Sequence, residues 1–133
     1  MTSPTTPRIS DEFADRARQA LQRHAAPVDG LQLALLSTPD GFEIACLRIR
    51  SELQPNRLSA MASSLMAMAS AVGREVQSPS CKRLTFDAEG STVIFQSVDG
   101  RVPCILCLVL GPTAVLGYAL WAAGELARDM ARH

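Results

Sequence analysis

The sequence predicts an α+β domain in the order α-β-β-α-β-β-β-α. Five short segments show the apolar alternation of strands and are separated by turn-forming stretches such as Pro-Asp-Gly and Asp-Gly. Three longer segments repeat their apolar residues at helical spacing. The chain has 133 residues, 47% of them hydrophobic, enough to bury roughly two-thirds of its unfolded surface around one core.

Residues 1–9 are mostly Ser, Thr and Pro with one Arg, too polar to pack, and are expected to form a flexible tail ahead of a single domain at 10–133. Ser10 is an N-cap candidate, with Asp11 and Glu12 favourably placed in the first turn. Phe13, Ala17, Ala20 and Leu21 then recur at helical spacing, and the helix should end before Pro27. His24 falls at its end, where a solvated imidazole helped by the helix dipole is expected.

From Val28 the period changes. Leu31, Leu33 and Leu35 alternate along one segment and Phe42, Ile44 and Cys46 along the next, with Pro39-Asp40-Gly41 as the turn between them. Asn56 offers a second N-cap, and nothing breaks a helix from Arg57 until Gly73. Leu58, Met61, Leu65, Met68 and Val72 form an apolar stripe expected to face the core. After "QSPS" three strands follow as a meander, turning at Asp87-Ala88-Glu89-Gly90 and at Asp99-Gly100. Thr113 to about Met130 is the last helix, and the lack of charge in its first half predicts that this half is mostly covered.

The middle helix carries the main functional signal. Leu58 to Gly73 is sixteen residues without a charge. A solvent-facing helix surface normally carries charge, so this one is buried by the domain or by a partner, and a helix clad on all sides is hard to build in so small a domain. Ser59, Ser63, Met66 and Ser70 point away from the expected core stripe and are candidates for a partner-facing surface. Ala60, Ser64, Ala67 and Ala71 along one edge permit close approach of a second helix.

Other function classes lose ground. Thirteen Lys+Arg balance thirteen Asp+Glu, and no basic run interleaves with aromatics, so nucleic acid has no electrostatic footing. Val102 to Gly124 is 23 residues without a charge, but Gly111-Pro112 divides it into a strand-like half and a helical half, which argues against membrane insertion. The start "MTSPTTPRISDEF" has no apolar core of a secretory signal, so a cytoplasmic location with reduced thiols is expected. Cys104 and Cys107 have the Cys-x-x-Cys spacing of redox and zinc sites, yet residues three apart on a strand point to opposite faces and can neither bond to each other nor share a metal. They read as buried small hydrophobes. No nucleophile elbow, phosphate loop, zinc-protease motif or calcium loop is present, which predicts a protein without catalytic residues, metal or cofactor.

The run "DGLQLALLSTPDGFEIA", the uncharged Ala/Ser/Met helix, the meander "LTFDAEGSTVIFQSVDG" and the closing strand and helix together resemble the roadblock/dynein-light-chain family over residues 10–131. The resemblance implies a five-stranded antiparallel sheet in the order 2-1-5-4-3, related to profilin, with the first and last helices on one face and the middle helix on the other. It implies homodimers that pair their third strands and middle helices, which would add Arg74, Leu84 and Phe86 to the interface. Bacterial members bind Ras-like small GTPases through the dimer and can stimulate hydrolysis without donating a catalytic arginine; others are scaffolds. The alternative is a small-molecule-sensing or general protein-interaction domain with no GTPase partner.

Overall fold

The computed structural model describes residues 9–78 and 80–132. Helix α1 spans Asp11–Ala20 and continues as a π-helical turn, Leu21–Ala25; then come β1 (Leu31–Ser37), β2 (Glu43–Arg48), α2 (Pro55–Glu75), β3 (Arg83–Ala88), β4 (Ser91–Val98), β5 (Cys104–Leu110) and α3 (Leu116–Ala131). The sheet order is β2-β1-β5-β4-β3 with every neighbouring pair antiparallel, as the resemblance implied.

Local chemistry accounts for the element boundaries. The Ser10 hydroxyl accepts the Phe13 N–H and caps α1 as expected. Ile9, assigned to the tail from sequence, packs against the core; the rest of that stretch lies outside the described residues. Helix α2 starts earlier than Asn56 suggests. Gln54 is its extended N-cap and Pro55 occupies the first helical position, where a fixed φ suits the helix and a missing N–H costs nothing. The helix also runs through Gly73 to Glu75.

Alternation along the central strands divides the core in two. Cys104, Leu106, Leu108 and Leu110 of β5 join Leu31, Ala34 and Leu36 of β1 beneath α1 and α3. Ile105, Cys107 and Val109 join Leu33 and Leu35 beneath α2. All seven residues of β5 are buried, because helices cover both sides of the sheet at its centre. The uncharged 23-residue segment is therefore split at Gly111-Pro112 between a central strand and α3, and no helix among the described residues is long and apolar enough to cross a membrane.

Two expectations need correcting. The first half of α3 is not covered: Val115, Leu116, Tyr118 and Trp121 are exposed, and the helix buries Ala119, Ala122, Ala123, Leu126 and Met130 instead. Nor is His24 merely solvated at a helix end. Its Nε2 lies 2.9 Å from Asp129 Oδ2 of α3, and Arg23 reaches the same oxygen at 3.1 Å, tying the π-helical turn to α3.

Candidate interaction surface on α2 and β3

The middle helix sits closer to the sheet, and in a different rotation, than its largest apolar residues suggest. Ser59, Ala62 and Met66 are its buried residues and rest on the sheet, so Ser59 and Met66 face the domain's own core, contrary to their assignment as partner-facing. The sheet itself supplies the bulk, with Leu33, Leu35, Phe95, Ile105 and Val109 filling the gap, so the helix approaches on small side chains. Ser59 keeps its hydroxyl satisfied by donating to the Pro55 carbonyl at 2.9 Å.

That rotation turns most of the expected core stripe outward. Leu58 and Leu65 are half-buried against the sheet, but Met61 is 54% exposed, Met68 66% and Val72 62%, and Val76 adds a further exposed apolar residue just beyond the helix. These four large side chains were missed as surface candidates. For Met61, Met68 and Val72 the signal lay in the uncharged run, which required some face to be uncovered, and it was assigned to the wrong side; Val76 lies beyond that run.

The remaining candidates divide by environment. Ala60, Ser64, Ala67, Ala71 and Arg74 are exposed along α2, and Ser70 is half-buried. Ser63 is engaged within the chain: its hydroxyl donates to the Pro39 carbonyl at 2.6 Å, pinning the β1–β2 turn to the helix. Gly41 makes that contact possible. It has φ +99°, and an added Cβ would lie 3.3 Å from the Ala60 Cα.

The two edges of the sheet differ. Along β2 the register slips, Leu36 facing Ala45 and Ser37 facing Glu43, so Ile44 is an extra residue and the edge is bulged. Bulges and charges such as Glu43 and Arg48 discourage strand addition. Strand β3 instead pairs with β4 in an unbroken register from Arg83↔Gln96 to Ala88↔Ser91 and offers a regular outer edge. Leu84 packs toward the α2 side of the sheet, and Phe86, two residues on, shares that side and is 53% exposed. An apolar helix ridge and an open, regular strand edge with an exposed aromatic thus occur on one side of the molecule. Burial of such a surface on a partner is favourable at about 25 cal/mol per Å2 of apolar area.

The sheet separates the Cys-x-x-Cys pair. Cys104 and Cys107 lie on opposite faces of the sheet, as strand geometry requires, and burial pushes each thiol up to about 12. Burial likewise raises Cys46, to about 11, with Glu43 adding to the effect. No group of three or more metal-ligating side chains is assembled among the described residues. Because the buried thiols titrate above the ordinary 9.0, they favour the folded state below about pH 9, and that contribution disappears as pH rises toward 12 and unfolded thiols ionise first. Urea denaturation should therefore show stability falling above pH 9, with a shallower fall in the Cys104→Ala/Cys107→Ala variant. An identical alkaline slope in both proteins would show that these thiols stay ionisable in the fold.

The arrangement matches known structures over nearly its whole length. The gliding protein MglB from Thermus thermophilus superposes with a TM-score of 0.82 at 19% identity, covering 98% of this chain and 96% of that one. The chain has the roadblock fold. A roadblock/LC7 domain from Streptomyces avermitilis matches at TM-score 0.73 and 16% identity, over 84% of this chain and 92% of that domain. A looser likeness of fold reaches Acanthamoeba castellanii profilin II, at TM-score 0.53 and 15% identity, over 77% of this chain and 86% of that one. No family profile and no curated protein matches the sequence, so the likeness is carried by shape.

Proposed function

We propose that this chain is a cytoplasmic roadblock-family module that pairs with a second copy through α2 and β3 and, as a dimer, binds and regulates a Ras-like small GTPase. The observation that carries the reading is the uncharged ridge of Met61, Met68 and Val72 on the same side of the molecule as the unblocked β3 edge, in a fold shared with MglB. A second copy supplies an identical ridge and an identical edge, and twofold pairing lets each patch meet its own kind. The GTPase comes from the roadblock resemblance of the sequence. The module has no chemistry of its own in this reading and acts by holding or reshaping its partner.

Affinity capture from the native cell in the presence of GDP or a non-hydrolysable GTP analogue, followed by reconstitution with the purified GTPase, tests the partner. Nucleotide-sensitive retention of one small GTPase is expected. Failure to retain any small GTPase in either nucleotide state would remove the partner, and a stable monomer at micromolar concentration would remove the dimer.

A further inference from the structure

We propose that the cleft between α1, the β4–β5 turn and the end of α3 binds a phosphoryl group. Arg16 of α1, Arg101 of the turn, and Ala131 and Arg132 at the helix end line this cleft of about 540 Å3. It belongs to the α1/α3 side of the sheet, so the proposal is independent of any pairing through α2.

The convergence of the three arginines is built into the backbone. Gly100 packs directly on α3, where a Cβ would come within 3.0 Å of the Ala131 Cα, and this close approach brings Arg101 to the helix end beside Arg132. Elsewhere four arginines are matched to acids, Arg18 to Asp15, Arg23 to Asp129, Arg50 to Glu52 and Arg128 to Glu125, and two are held by neutral acceptors, Arg48 by the Leu53 carbonyl and Arg83 by Gln96 and the Leu120 carbonyl; Arg57 and Arg74 make no salt bridge among the described residues. In the cleft, no salt bridge or side-chain hydrogen bond engages the guanidinium of Arg101 or Arg132 among the described residues. Three acids border the cleft: Glu12 lies 3.6 Å from Arg16 but is 81% exposed, a contact largely screened by water, Arg132 acts on Glu125 electrostatically, and Asp129 lines the adjoining pocket with Arg16.

A simpler role for these cations is to complement the carbonyl end of α3. That end presents only about half a negative charge, whereas three arginines line the cleft, so the site stays electropositive. Guanidinium groups arriving from three elements suit an anion with three or more acceptor oxygens; a carboxylate is satisfied by a single fork. The phosphoryl group has two possible sources, a soluble phosphate compound or a lipid headgroup.

Titration calorimetry of the full chain with inorganic pyrophosphate tests the site. Saturable binding is expected, weakened about tenfold or more by Arg101→Gln/Arg132→Gln through loss of charge-assisted hydrogen bonds. Arg50→Gln/Arg57→Gln removes the same charge elsewhere and should leave the affinity unchanged, with both variants melting like the parent. Absence of saturable binding, or equal weakening in the two variants, overturns the proposal. Sedimentation with phosphatidylcholine vesicles, with and without phosphatidylinositol bisphosphate, separates the sources. Retention on phosphoinositide vesicles that the cleft variant loses assigns the lipid; pyrophosphate binding without retention assigns a soluble ligand.

Discussion

Met68→Glu should convert the proposed dimer into a monomer without unfolding the chain. In the isolated subunit Met68 is 66% exposed, and glutamate is a good helix former, so the folded monomer should lose little stability. Between two packed helices the same carboxylate would be stripped of water with no cation to meet it, since Leu58 to Gly73 is uncharged on both copies. Burying an unpaired charge costs several kcal/mol, so dimerisation should weaken by about a hundredfold or more. Sedimentation velocity at micromolar concentration should show the parent as a dimer and the variant as a monomer, with matching circular dichroism. An unchanged dimer mass would take the α2 ridge out of the interface and leave β3 to explain assembly.

Met66→Ala should cost about 2–4 kcal/mol of folding stability, whereas Met61→Ala should stay within about 0.5 kcal/mol. The two methionines are five residues apart on α2, but Met66 is 7% exposed against the sheet and Met61 is 54% exposed. Truncation of the first leaves a cavity over Phe95 and Ile105; truncation of the second removes contacts with water. The comparison belongs in the Met68→Glu background, where pairing between copies does not contribute. Denaturant midpoints in the reverse order would restore the helix rotation that places Leu58, Met61, Leu65, Met68 and Val72 in the core.

Much of the fold was legible because it rests on local patterns. Period two in β1 and β4, the glycine turns and the uncharged run of α2 each carry their own signal. The rotation of α2 was not legible, because it depends on what the sheet brings to the contact. A sheet already lined by Leu33, Leu35, Phe95 and Ile105 leaves room for Ser59 and Ala62 and pushes larger side chains out. The absence of charge identified the right helix; choosing its faces by side-chain size then exchanged Met66 for Met61. The pairing of His24 with Asp129, 105 residues away, had no local signal at all. The bare start of α3 was misread for a related reason: lack of charge predicted cover that Val115, Leu116, Tyr118 and Trp121 do not have.

The unequal edges of the sheet bear on how assembly would end. A sheet with two regular edges can accept strands at both sides and grow without limit, the route to fibres. Here Ile44 disrupts one margin while β3 stays regular at the other. When two such sheets join at their regular margins, each consumes the other's growing end, and the bulged strands become the outer boundary on both sides. Association through β3 would therefore count to two and stop, a limit set by one surplus residue in the strand farthest from the joint.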